Sequence, residues 1–168
     1  MSNVLLSVRD LRTWFHTDQG IAKAVDGVSF DVMEGETLGI VGESGCGKTV
    51  TSLSVLGLLP QPPAEVMESS SILFEGEELV GATEARLRAL RGNEISMIFQ
   101  EPMSSLNPVF SVGNQIAESL RLHRGMGRKA ARVEAGRLLT EVGISEAERR
   151  LDQYPHQLSG GMRQRVMI

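Results

Sequence analysis

The segment Gly42-Glu43-Ser44-Gly45-Cys46-Gly47-Lys48-Thr49 has the form G-x-x-x-x-G-K-[ST]. These residue types at this spacing can hold a polyphosphate. Glycines let successive backbone N–H groups point inward and approach anionic oxygens closely. A helix beginning at about Lys48 adds unsatisfied N–H donors and a positive dipole end. Lys48 supplies a mobile cation for the terminal phosphates, and the Thr49 hydroxyl is placed to ligate Mg2+. A second cluster, Leu158-Ser159-Gly160-Gly161-Met162-Arg163-Gln164-Arg165, opens another helix. Ser159 is a good N-cap. Two glycines in a first turn weaken a helix, so their presence wants a reason. One reason is close approach of an anion to the helix start; the other reading is a plain glycine-bearing cap, and the residues alone leave both open.

The elements around these clusters follow from periodicity. Residues 4–12 alternate weakly, and Val28, Phe30 and Val32 alternate with Ser29 and Asp31, so both stretches read as strands. Glu34-Gly35-Glu36 reads as a turn. Leu38-Gly39-Ile40-Val41 is a short apolar run of the type buried in a parallel sheet, and it leads straight into the glycine loop. Residues 50–59 read as a helix stopped by Pro60, 61–71 as a loop, and 72–75 as a strand. Residues 83–91 read as a helix ended by Gly92, and Ile95-Ser96-Met97-Ile98-Phe99 as a second buried strand ending at Gln100. After a proline-bounded loop at 101–108 come helices at 112–123 and 128–142, and Ser145 with Glu148 predicts a capping box for a third, up to about Gln153. The texture places a subdomain change near residue 101 and a return near 158, giving segments 1–100, 101–158 and 159–168.

Composition bounds the class. The 168 residues suit one domain of ordinary size, with 41% apolar and 23% charged side chains, which is globular rather than disordered or fibrous. The net charge of −4 disfavours a generally basic nucleic-acid binder. One cysteine makes no internal disulfide and fits a reducing compartment. No apolar run approaches a spanning helix, and the first ten residues lack the basic start and apolar stretch of a secretion signal. Residues 1–100 hold 7 basic and 14 acidic side chains, against 10 and 7 in 101–168. The basic second part is either an ordinary Arg-rich helical surface or a face turned toward lipid headgroups or an acidic partner. Charge alone does not decide it.

Together the two glycine clusters resemble the nucleotide-binding subunits of ABC transporters. Gly42 to Thr49 matches the Walker A motif, Gln100 stands where the Q-loop glutamine does, and Leu158 to Gln164 matches the LSGGQ-type signature with Met162 where glutamine is commonest. The string Phe99-Gln100-Glu101-Pro102-Met103-Ser104-Ser105-Leu106-Asn107-Pro108, with Tyr154-Pro155-His156-Gln157-Leu158, is similar to the dipeptide/oligopeptide or nickel importer branch. The resemblance implies an α/β fold: a RecA-like P-loop NTPase core with an N-terminal antiparallel β subdomain and an inserted α-helical subdomain, incomplete at its C-terminal part. It implies ATP and Mg2+ as cofactors. Gly42, Glu43, Ser44, Gly45, Cys46, Gly47, Lys48, Thr49 and Val50 would hold the nucleotide, and Phe15 would stack on adenine with Trp14 as the second choice. Thr49 and Gln100 would serve the metal, and Lys48 and Gln100 would be the catalytic groups.

The resemblance also implies partners. Two subunits, identical or not, pack head to tail, with Ser159, Gly160 and Gly161 of one closing on the nucleotide held by the other. The 100–108 segment faces transmembrane permease subunits, so the protein is expected on the cytoplasmic face of the membrane, powering peptide import without contact to nucleic acid. The family's Walker B aspartate, catalytic glutamate and switch histidine have no match before Ile168, and His16, His123 and His156 are expected to be surface or structural groups. Hydrolysis by this stretch alone is therefore expected to be very low. The alternative function is a hydrolysis-deficient nucleotide-binding fragment with a binding or regulatory role. A kinase or GTPase leaves the second glycine cluster unexplained, and no Asn-Lys-x-Asp motif is present. A soluble ABC ATPase of the repair type needs a long coiled-coil insertion, for which the 100–159 interval leaves no room.

Overall fold

The computed structural model describes residues 3–99 and 106–168. The chain divides into two compact units, Met1–Arg91 and Gly92–Ile168. In the first, strands β1 (Val4–Thr17) and β2 (Gly20–Met33) form a long antiparallel hairpin closed by the pairing of Thr17 with Gly20. β1 is the shared strand of the sheet: β2 lies on one side, and β3 (Ala64–Val66) and β4 (Ser71–Phe74) pair with it on the other. β5 (Glu77–Glu78) extends the sheet beyond β4, and every pairing is antiparallel. Helix α1 (Lys48–Val55) follows the glycine loop and buries Thr51, Ser54 and Val55. Helix α2 (Glu84–Leu90) starts where the Thr83 side chain accepts the Arg86 N–H, and it buries Leu90. Val8, Leu11, Val25, Ile72, Phe74 and Leu79 are buried with them, removing their apolar surface from water.

The second unit is helical. Helices α3 (Val112–Arg124) and α4 (Arg128–Glu141) bury Val112, Leu120, Ala131, Ala135 and Leu139 in one cluster with Ile144, Leu151 and Leu158. Ser111 caps α3, and Gly125, at φ 62°, ends it in the left-handed conformation. Gly113 is needed for close approach: its N–H donates 2.8 Å to the Leu151 carbonyl, and a Cβ there would lie 2.7 Å from that oxygen. A short helix α5 (Ala147–Arg150), a 3-10 turn (Pro155–Gln157) and helix α6 (Gly160–Val166) complete the unit.

Several local expectations are corrected. Residues 38–41 form no ladder, and Leu38, Ile40 and Val41 are 40, 48 and 94% exposed rather than buried. An apolar run becomes a strand only when neighbouring strands take its N–H and C=O groups, and none does so among the described residues. Ile95 makes only an isolated bridge, its carbonyl accepting the Gly92 N–H at 2.8 Å, and residues 96–99 form no ladder, with Ile98 and Phe99 exposed. β1 continues past Arg12 to Thr17, the 61–71 stretch contains β3, and α1 stops at Val55 well short of Pro60. The Ser145 capping box does not form, because Glu146, at φ 55°, takes the N-cap position of α5.

Glu78 ties β5 to β4. Its carboxylate accepts the Ser71 hydroxyl and the N–H groups of Ile72 and Val80. Desolvation pushes its pKa up, but the hydrogen bond from Ser71 and those from the backbone outweigh it and hold the group below its ordinary value. A lowered folded-state pKa means the stabilisation is present above the unfolded-state value, about 4.3, and is lost as pH falls through the folded one. Glu78→Gln is therefore expected to lower the urea midpoint at pH 7 and to have a smaller effect at pH 3. A deficit that stayed the same at both pH values would contradict this account of the carboxylate.

Candidate functional site

The glycine loop leads into α1 through residues whose backbone angles only glycine adopts without strain. Gly45 has φ 83° and Gly47 has φ 93°. Gly47 is the N-cap of α1, and no side chain caps it. Helix geometry leaves the first-turn N–H groups, Lys48, Thr49 and Val50, without intrahelical partners. The first turn carries no acidic side chain, so the positive helix end is unneutralised. Gly42 has no positive φ; a Cβ there would lie 2.6 Å from the Cys46 sulfur.

The Lys48 ammonium closes this loop on itself. Nζ donates to the carbonyls of Gly42 and Glu43, each at 2.7 Å, and points a third bond at Cys46 Sγ, 3.5 Å away. All three donors of the ammonium are thus engaged by the loop. The Thr49 side chain is exposed, and the Cys46 N–H donates 3.3 Å to the Glu43 carbonyl. Cys46 is free and exposed.

The hairpin touches the loop at the opposite side. An ideal Cβ on Gly47 would fall 2.4 Å from the Ala24 carbonyl oxygen and 3.4 Å from a Val25 methyl. Gly47 is therefore bare both for its φ and for this contact. Farther along, Thr13 Oγ1 and Ser54 Oγ lie 2.8 Å apart, with both residues buried. The sequence singles out none of Ala24, Thr13 or Ser54, because their roles rest on contacts between segments far apart in the chain.

Phe15 pairs with Ala22 on β2 and Ala64 on β3. Phe15 itself is half-buried. Trp14 differs: the Lys23 ammonium lies 4.6 Å from its ring centroid, and its indole N–H is buried without a partner. The Trp14 ring is thus occupied by a cation–π contact. Ser159 caps α6, its hydroxyl accepting the Met162 N–H at 3.3 Å. Nothing lies within 4 Å of a Cβ at Gly160 or Gly161, so no contact among the described residues explains why they are glycines. Gln100 lies outside the described residues, as does most of the segment expected to meet permeases. No group of three or more His, Cys, Asp or Glu able to hold a metal occurs among the described residues. His16, His123 and His156 are exposed; His16 meets Glu65 at 2.6 Å and His156 stacks on Tyr154.

A glycine loop closed by its own lysine follows an antiparallel hairpin in the first unit, and the second unit is helical. The family model described as ABC transporter matches residues 25–168, and the chain belongs to that family. A probable peptide ABC transporter ATP-binding protein, y4tR, of Sinorhizobium fredii is 50% identical over 99% of this chain and 50% of its own length. The dipeptide transport ATP-binding protein DppD of Bacillus subtilis is 52% identical over 98% of this chain and 49% of its own length. The chain thus spans about half the length of these curated relatives, and about a third, 32%, of an ABC transporter ATP-binding protein, YejF, of Escherichia coli. Among solved structures, the dimeric bacterial ABC transporter cassette MJ0796 superposes with a TM-score of 0.82 at 24% identity, over 97% of this chain and 67% of that one. The fold is that of such cassettes.

The position of Gly47 generates a prediction. In Gly47→Ala the new methyl meets the Ala24 carbonyl in a backbone conformation unfavourable to alanine. The variant is expected to lose about 2 kcal/mol or more, read as a lower thermal midpoint. A midpoint equal to that of the wild type would show that the hairpin and the loop are not in the contact described.

Proposed function

We propose that this protein is the ATP-binding and ATP-hydrolysing subunit of an ABC importer of peptides, working at the cytoplasmic face of the membrane. The observation that carries the reading is the loop of residues 42–49, closed by Lys48 over free amides at an uncapped helix start. The names of the relatives, which concern peptide and dipeptide transport, support the substrate class.

The chain's own groups have separable tasks. Amides of residues 43–50 receive phosphate oxygens, and Lys48 exchanges its loop carbonyls for the β- and γ-phosphates. The hydroxyl of Thr49 fits a magnesium ligand; Mg2+, when bound, neutralises phosphate charge. Phe15, between two alanines, offers its ring to the adenine. Gln100 is assigned to sensing the metal and the attacking water. Ser159, Gly160 and Gly161 present a bare helix start to the γ-phosphate held by a second subunit, which accounts for glycines that nothing within the chain requires. Nucleotide then supplies contact energy only to the closed dimer, and hydrolysis removes it. Permease subunits would receive this closure through the 100–108 segment.

Two measurements test the reading. Lys48→Ala is expected to weaken ATP binding by at least about tenfold in calorimetry, the size of a lost charge-assisted bond, with little change in fold. Unchanged affinity would remove the phosphate role of the loop. Ser159→Arg, in the full-length protein, is expected to abolish ATP-dependent dimerisation in analytical ultracentrifugation while leaving ATP binding by the monomer near the wild-type level. Dimers that formed as before would remove the composite site.

A further inference from the structure

Helix α1 is held against the β1–β2 hairpin at both of its ends. At the start, the Ala24 carbonyl covers the bare Cα of Gly47. At the last turn, Thr13 Oγ1 and Ser54 Oγ are 2.8 Å apart in a buried pair. Ser54 has one proton, and it goes to the Val50 carbonyl at 2.8 Å. Thr13 is therefore the donor to Ser54.

The two contacts leave the sheet at the same place. β2 pairs Val25 with Thr13 and Lys23 with Trp14, so Ala24 is an extra residue with no partner on β1. This is a β-bulge, and it frees the Ala24 carbonyl from the β1–β2 ladder. β1 itself carries no extra residue there, since Thr13, Trp14 and Phe15 pair in unbroken order with Val66, Glu65 and Ala64. Alternation then puts Phe15 on the same face as Thr13, the face that meets α1, about 7 Å farther along the strand.

We propose that the Thr13–Ser54 hydroxyl bond and the Ala24–Gly47 contact form a two-point clamp that fixes the Phe15 ring relative to the phosphate loop, making Thr13 and Ser54 positioning residues for the base of a nucleoside triphosphate. The proposal rests on the nucleotide-binding reading given above. Phosphates are held by the loop alone, whereas the base is held by a ring on another element. A ring and a loop joined at two points keep a constant separation, so base and triphosphate contacts add in one ligand. Loosening the clamp leaves the phosphate grip intact and weakens the contribution of the base.

The test compares ATP with inorganic tripolyphosphate, which has the charge and lacks the base, by calorimetry on the full-length protein. Thr13→Val, which keeps the shape and removes the donor, is expected to weaken ATP binding about fivefold and to change tripolyphosphate binding less than twofold. Thr13→Ser, which keeps the hydroxyl, is expected to restore ATP binding. Ser54→Ala carries the same expectation as Thr13→Val should that variant not fold. Phe15→Ala serves as the control for the base platform. If Phe15→Ala weakens ATP binding and neither clamp variant does, the clamp is wrong and the nucleotide site stands. Equal losses for ATP and tripolyphosphate in Thr13→Val would make the pair a support of the loop and overturn the positioning role. If Phe15→Ala has no effect, there is no base platform to position and the proposal falls. If tripolyphosphate does not bind the wild type, the underlying reading of the site fails with it.

Discussion

The ammonium of Lys48, bonded to the carbonyls of Gly42 and Glu43, is the interaction on which the site depends. The lysine bridges the loop's entrance to the first turn of α1 and holds the cradle in shape. Each such charge-assisted bond is worth about 1.5–3 kcal/mol, so the ammonium leaves the carbonyls only for a stronger acceptor. Phosphate oxygens are such acceptors; a neutral ligand is not. Under the proposed function, this exchange favours a polyanion over a neutral ligand.

The sheet gives this loop its setting. β1 carries Thr13, Trp14 and Phe15 in consecutive rungs, and each side chain meets a different chemistry: a buried hydroxyl on α1, a lysine cation, and two alanines. The bulge at Ala24 sets the hairpin against Gly47, whose missing side chain is then a packing requirement as well as a conformational one. In the helical unit, Gly113 answers a comparable need against Leu151, whereas Gly160 and Gly161 answer none within the described residues. That contrast separates glycines with a packing reason among the described residues from glycines without one.

The conformation of the glycine loop was legible because its residue types act locally. Gly45 and Gly47 need their positive φ, Lys48 reaches back five and six residues, and Ser159 caps its own helix. The helices at 112–124 and 128–141 were legible for the same reason, through periodicity and glycine stops. What failed were features that depend on distant partners. Leu38 to Val41 carries the composition of a buried strand, yet Val41 is 94% exposed, because composition does not supply a neighbouring ladder. β3, three residues long and close to prolines, exists only through its pairing with β1. The Ser145–Glu148 spacing suited a capping box, but the left-handed backbone of Glu146 moved the helix start by one residue. Phe15, preferred in the sequence, and Trp14, the second choice, have different neighbours: Phe15 pairs with two alanines, and Trp14 carries the Lys23 cation over its ring.

The central claim is that backbone amides of the glycine loop receive a triphosphate, for which the Lys48 ammonium leaves the Gly42 and Glu43 carbonyls. Amide chemical shifts of the 15N-labelled protein, followed through a titration with ATP, test it most directly. The account predicts that the resonances of Gly45, Gly47, Lys48, Thr49 and Val50 move together and saturate at one affinity, ahead of those in the helical unit. Saturable binding that left these five resonances in place would contradict it.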